Sequence, residues 1–200
     1  MDYNHKTLQT YEHSVQRYVK KTPAVASAHV TEWIDRALAR LSPADPILEL
    51  GSAFGRDADY IEAKGFTVQR SDAAKGFVRL LRDQGHPAKV LNVLTDDLGG
   101  AYHLIIANAV FLHFKAEELR KALGVVYHHL RPGGTLAFTV KQGQGSGWSS
   151  EEMDGPRFFC YWQPAKLRKL VVEAGFEDIE LTKGTSPNAK WLHVIATKPA

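Results

Sequence analysis

From Pro46 onward the chain alternates short apolar runs with stretches of helical periodicity, and this alternation restricts the fold more than any other feature. The run 46–50 ends at Gly51. The run 67–71 follows a helical stretch that stops at Lys64 and Gly65. Runs 89–93, 102–107 and 135–140 complete the series, the last after the turn Arg131-Pro132-Gly133-Gly134. Helical patterns lie at 56–64, 75–84, 116–130 and 164–174. Strands separated by helices form right-handed βαβ units and a parallel sheet. The end of the chain departs from that rule. Two strand patterns, 177–183 and 191–198, are joined only by the linker 184–190. A linker that short cannot carry a parallel crossover, so it predicts an antiparallel hairpin.

The first forty residues read as two amphipathic helices. Leu8, Tyr11, Val15, Tyr18 and Val19 recur at helical spacing; a second pattern over 25–41 places Val30, Trp33, Ile34, Leu38 and Leu41 on one face. Ser42-Pro43-Ala44-Asp45-Pro46 stops it. Two hundred residues suit one domain. Its segments are 1–42, 46–140, 141–163 and 164–200. The net charge of +3 is mild, and no basic run marks a nucleic-acid arm. Cys160 is the only cysteine, which excludes an internal disulfide and fits a reducing compartment. The N-terminus, Met1-Asp2-Tyr3-Asn4-His5-Lys6, is polar, and no apolar stretch approaches a membrane span. A soluble, cytoplasmic protein is expected. His128 and His129 are adjacent, a poor spacing for a shared metal, and no metal is expected.

The loop after the first strand carries the chemistry. In Ile47-Leu48-Glu49-Leu50-Gly51-Ser52-Ala53-Phe54-Gly55-Arg56-Asp57 an acidic strand residue precedes two glycines that open a helix. Glycine lets a backbone turn sharply and approach a ligand closely. Some twenty residues later Asp72, followed by Ala73, ends the second strand, and a carboxylate there can accept from both hydroxyls of a ribose. Asn92, Val93 and Leu94 follow the third strand, and the Asn92 carbonyl can accept from an amino group. Asn108 follows Ala107 at the end of the fourth.

In this order and spacing the segments resemble the class I S-adenosylmethionine-dependent methyltransferases. The resemblance covers residues 46–140 in detail, the Pro-Gly-Gly turn included, and the terminal hairpin at the level of fold. It implies an α/β, Rossmann-like fold: a seven-stranded, mostly parallel sheet with a C-terminal antiparallel hairpin, helices on both faces and an N-terminal helical cap. It implies S-adenosyl-L-methionine as cofactor and S-adenosyl-L-homocysteine as product. Glu49 would form the floor of the site, toward the ammonium group. Gly51, Ser52, Ala53, Gly55, Arg56 and Asp57 would supply the loop. Asp72 and Ala73 would hold the ribose, Asn92, Val93 and Leu94 the adenine, and Ala107 and Asn108 would lie beside the transferring methyl. Tyr18, with Tyr11, would cover the ligand. Two departures stand out: Ala53 replaces the middle glycine, and Asn108 is followed by Ala-Val-Phe. The second argues against the enzymes that methylate nucleobase or glutamine nitrogens through Asn-Pro-Pro-Tyr.

Ligands of open α/β sheets bind outside the carboxyl ends of the strands, so the acceptor is expected near residues following strands four and five. The glycine-rich stretch 141–148 is expected to be mobile, with Trp148 as a lid. Lys141 and Arg157 are candidates to hold an anionic group, and Tyr11, Tyr161 and Trp162 to complete the acceptor site. If the acceptor must lose a proton, His113 is the first candidate base and Tyr161 the second. The leading expectation is a small-molecule methyltransferase. RNA or protein methylation, and a non-catalytic cofactor-binding module, are the alternatives; a nicotinamide-dependent reductase is disfavoured by the hairpin.

Overall fold

A computed structural model describes residues 3–200; Met1 and Asp2 of the polar N-terminus lie outside the described residues. Five strands run parallel: β1 (Ile47–Leu50), β2 (Val68–Asp72), β3 (Ala88–Val90), β4 (Tyr102–Ala107) and β5 (Leu130–Lys141). The short pair β6 (Ser146–Ser149) and β7 (Arg157–Cys160) forms a separate antiparallel hairpin. β8 (Glu177–Ser186) and β9 (Ala189–Thr197) close the main sheet, whose order is β3-β2-β1-β4-β5-β9-β8. β9 is antiparallel to both neighbours. The order reverses between β1 and β4, and a crevice opens at such a switch point.

Strand alternation explains why both faces carry helices. Leu48 and Leu50 of β1, Ile105 and Ala107 of β4, and Leu136, Phe138 and Val140 of β5 point to one face. There they meet Leu119, Leu123 and Val126 of α6 (Ala116–His129) and Leu167 and Val171 of α7 (Pro164–Glu173). Ile47, Leu104, Ile106 and Ala137 point the other way. They bury Trp33, Ile34 and Leu38 of α3 (Ala28–Leu38), with Ala58 and Ile61 of α4 (Arg56–Glu62). Trp33 is fully buried, and its indole N–H donates to the Val194 carbonyl at 3.2 Å. The remaining helices are α1 (Tyr3–His13), α2 (Val15–Lys21) and α5 (Lys75–Asp83). No helix among the described residues is long and apolar enough to cross a membrane.

The structure corrects the sequence reading at four places. The first amphipathic pattern is two helices, broken at Ser14, whose φ of −108° and ψ of 16° lie outside the helix. The second begins at Ala28 rather than Val25, which stands 80% exposed beyond Pro23. The terminal linker is itself paired: Gly184, Thr185 and Ser186 lie opposite Trp191, Lys190 and Ala189, leaving a two-residue turn. The glycine-rich stretch expected to be a mobile lid contributes β6, because Ser146 to Ser149 pair residue by residue with Cys160 to Arg157.

Trp33→Ala removes the largest side chain beneath the sheet. It is expected to cost about 3–5 kcal/mol in chemical denaturation while leaving a folded baseline.

Candidate functional site

The loop joining β1 to α4 rests on Asp72. Gly51 and Gly55 take φ of +74° and +93°, and Ala53 takes +48°, so the loop turns three times through left-handed backbone. Ala53 tolerates this because its N–H donates to Asp72 Oδ2 at 3.0 Å. Asp72 Oδ1 accepts from Ala74 N–H at 2.8 Å, ordering the start of α5. Burial pushes the Asp72 carboxyl up to about 6, against the pull of those two N–H bonds. A Cβ at Gly51 would lie 2.5 Å from the Val110 side chain, so glycine lets the loop pass under the segment after β4.

That segment is tied to its neighbours by side chains. Asn108 donates from Nδ2 to Asp57 Oδ2 at 2.7 Å and accepts from the Thr139 hydroxyl at 2.7 Å. Thr139 in turn accepts from Ala109 N–H at 2.8 Å, which fixes Ala109 at a φ of +57°. Backbone held in that region by its surroundings is common at functional sites. Arg56 pairs with Asp57 at 2.8 Å.

Above this frame lies an open cleft lined by both polar and apolar groups, the mix a small-molecule site needs. One end is walled by Leu91, Asn92, Val93, Asp72, Ala73 and Phe77. Gly51, Ala53, Asn108 and Ala109 form the middle, and Tyr18 covers them from α2. Val110, His113 and Phe114, with Leu8 and Tyr11 of α1, complete the lining, and the Tyr11 ring also lies 6.3 Å from that of Phe77. A second, smaller cavity, lined by Ser52, Arg56 and Asp57, shares Tyr18, Gly51, Ala53, Asn108 and Ala109 with the first.

The structure therefore brings together most of the expected cofactor residues, but not all. Glu49, Gly55, Leu94 and Ala107 lie outside the lining of both cavities. Leu94 and Ala107 belong to the core. Gly55 caps α4. Glu49 sits beneath the loop, 3% exposed, with Oε2 lacking a partner. Burial and the nearby Asp57 push its carboxyl up to about 8, offset in part by Ser52 and Arg70. Asn92 is oriented rather than free: Oδ1 accepts from Leu94 N–H at 3.0 Å, and Nδ2 donates to Asn4 Oδ1 at 2.8 Å.

The expected acceptor residues divide more sharply. Tyr11 and His113 meet: the Tyr11 hydroxyl lies 2.9 Å from His113 Nε2. His113 Nδ1 faces the Phe158 carbonyl, which can only accept, so Nδ1 carries the proton and Nε2 accepts from Tyr11. Burial pushes the His113 imidazole down to about 3, helped by Arg157 and Lys141 and opposed by the Phe158 carbonyl. It is neutral at ordinary pH. Lys141, Arg157, Tyr161 and Trp162 line neither cavity. Arg157 is spent on Glu152 Oε2 at 2.9 Å and the Tyr11 hydroxyl at 3.2 Å. The Lys141 ammonium lies over the Phe159 ring. Tyr161 is 38% exposed beside Gly143, and Trp162 packs in the core. Lys141 and Arg157, expected to hold an anionic group, thus stand apart from the lining of either cavity. Their charges lie behind Tyr11 and His113.

Sequence reasoning missed Asn4, Thr7, Phe77 and Val110 as lining residues, and Thr139 as the tie under Asn108. Helical spacing from Leu8 and Tyr11 could have found Asn4 and Thr7. The Thr139 link spans two strands and leaves no local signal. Outside the cleft, Asp59, Glu62 and His86 approach one another at metal-ligand spacing, but Arg70 already bridges the two carboxylates.

Glu49 supplies a pH test of this geometry. Its folded-state value is raised, so the folded form binds the proton more tightly and stability falls as pH rises from about 4.5 to about 8. Glu49→Gln removes that penalty. Thermal melts are expected to show the variant above wild type at pH 9 and the two converging below pH 4.5.

A family model described as "Methyltransferase domain" matches residues 11–181. No curated protein matches the sequence significantly. Among solved structures, the chain is similar to a Burkholderia thailandensis 1,6-didemethyltoxoflavin-N1-methyltransferase with 1,6-didemethyltoxoflavin and S-adenosylhomocysteine bound. The TM-score is 0.77 at 17% identity, covering 100% of this chain and 90% of that one. It is also similar to the CcbJ methyltransferase of Streptomyces caelestis, with a TM-score of 0.71, 18% identity, and coverage of 96% and 98%. A third is phosphoethanolamine N-methyltransferase 2 of Haemonchus contortus, with a TM-score of 0.73, 13% identity, and coverage of 96% and 57%. With the family model spanning most of its length, the chain belongs to the methyltransferase-domain family, the class I S-adenosylmethionine-dependent enzymes that its motifs resemble.

Proposed function

We propose that the protein transfers a methyl group from S-adenosylmethionine to a small-molecule acceptor, with Tyr11 and His113 receiving the acceptor's proton. One observation carries this reading: a single cleft runs from Asn92 past Asp72 and the Gly51 loop to the Tyr11–His113 pair.

The residues fit the cofactor part by part. Asp72 keeps lone pairs beyond its two backbone donors, and these can accept from ribose hydroxyls. Asn92 and Val93, with Leu91 and Phe77, offer a polar edge and apolar faces to an adenine. Arg56, at the second cavity, suits a carboxylate. The unpartnered Glu49 oxygen is an open acceptor beneath the loop, and an ammonium bound nearby would favour loss of the proton that burial holds on that carboxyl. The bound cofactor supplies an activated methyl on a sulfonium centre. The protein's part is then orientation and exclusion of water, to which Leu8, Val110 and Phe114 contribute apolar wall.

The proton follows a defined route. The Tyr11 oxygen accepts from Arg157 and donates to His113 Nε2, leaving a lone pair for an acceptor O–H or N–H. As the acceptor attacks the methyl, its proton can pass to the Tyr11 oxygen while the Tyr11 proton moves to Nε2. Nδ1–H keeps its bond to the Phe158 carbonyl throughout. The burial and charges that weaken His113 as a base also keep it unprotonated and ready.

Calorimetric titration with S-adenosylhomocysteine and NADP tests the reading. Binding of the first and not the second is expected, and no binding of the first would overturn it. Asp72→Ala is expected to weaken binding by about 2–4 kcal/mol. Affinity in the wild type is expected to fall as pH drops through about 6, where Asp72 takes up a proton, and to lose that dependence in Asp72→Asn. Tyr11→Phe is expected to lower turnover by roughly a hundredfold, with little change in the affinity for S-adenosylhomocysteine.

A further inference from the structure

The roof of the cleft is attached by an unusual seam. α1 and α2 cover the site with Leu8, Tyr11 and Tyr18, and their apolar contacts are ring pairs that stay partly exposed, Tyr3 on Phe158 and Tyr11 and Tyr18 on Phe77; the side chains that α1 buries are Thr7 and Thr10, and α2 buries none. Ser14, between them, is buried as well. Thr7, Thr10, Ser14 and Arg17 recur at spacings of three, four and three, through α1, the break at Ser14 and α2. Each meets a backbone group of the segment preceding or entering β7, and the partners are alternate residues in reverse order. Phe158 N–H donates to Thr7 Oγ1 at 3.1 Å, and the Thr10 hydroxyl donates to the Pro156 carbonyl at 2.8 Å. Asp154 N–H donates to Ser14 Oγ at 3.2 Å, and Arg17 Nε donates to the Glu152 carbonyl at 3.0 Å. Gly155 permits the close approach: a Cβ there would lie 2.8 Å from the Thr10 hydroxyl.

We infer that this polar zipper is a releasable latch, and that Thr7, Thr10, Ser14 and Arg17 are positioning residues for methyl transfer. The inference rests on the proposed use of the cleft. A roof fixed by apolar burial would expose that surface each time it opened. Hydrogen bonds exchange for water at small net cost, so a roof whose buried side chains are held mainly by them opens readily. Closing it does more than cover the ligand. Tyr11 rides on the roof, whereas His113 and Arg157 belong to the body. Glu152 joins the two systems, giving its carbonyl to Arg17 and its carboxylate to Arg157. The latch therefore sets the Tyr11 hydroxyl against His113 Nε2 only in the closed state.

The test reads the latch apart from catalysis. In wild type, amide exchange at Asp154 and Phe158 is expected to slow at least tenfold when S-adenosylhomocysteine binds. Thr10→Val/Ser14→Ala removes two zipper bonds and is expected to speed release of S-adenosylhomocysteine about tenfold in stopped flow. Thr10→Ser, which keeps the hydroxyl, is expected to release it at the wild-type rate. Unchanged amide exchange, or a folded double variant with wild-type release, would overturn the latch while leaving the cofactor cleft standing. Failure of wild type to bind S-adenosylhomocysteine would instead remove the reading on which the latch rests.

Discussion

The bond between the Asp72 carboxylate and the Ala53 amide is the contact on which the site depends. It ties the end of β2 to a loop that must turn through left-handed backbone three times. Ala53 has no glycine's freedom at φ +48°, and non-glycine residues are strained there. The carboxylate offsets that strain and, through Ala74, sets the entry to α5. With the loop placed, Gly51 passes beneath Val110, and the post-β4 segment closes the middle of the cleft. A second tie, from Asp57 through Asn108 to Thr139, holds that segment from below.

Electrostatics divide the cleft along its length. The loop end concentrates carboxylates: Glu49, Asp57 and Asp72, two of them raised by burial. The Tyr11–His113 end has two cations behind it, Arg157 and Lys141, and neither reaches the cavity lining. A cofactor with ammonium and sulfonium charge suits the first environment. The second lowers the basicity of His113 and so holds it in the neutral, accepting form.

Much of the fold was legible because its strands are buried on both faces. Tyr102–Ala107 reads as a strand with its boundaries intact, since a strand covered on both faces appears as a near-continuous apolar run. The terminal hairpin followed from linker length, although the linker itself is mostly strand. Of the cleft lining, Gly51, Asp72, Asn92 and Asn108 were readable because each lies at or just past the carboxyl end of a parallel strand. The surroundings of Arg157 and Lys141 were not legible for a physical reason: a cation after a strand looks the same in sequence whether it faces a ligand or packs on aromatic rings. The zipper was invisible because polar residues at helical spacing ordinarily mark a solvated face, and here they bond a backbone far along the chain.

A crystal structure with S-adenosylhomocysteine tests the central claim most directly. The account predicts both ribose hydroxyls within hydrogen-bonding distance of Asp72, adenine against Asn92 and Val93, and sulfur turned toward Tyr11 and His113. A ligand bound with its ribose away from Asp72, or outside the cleft beneath α1 and α2, would contradict it.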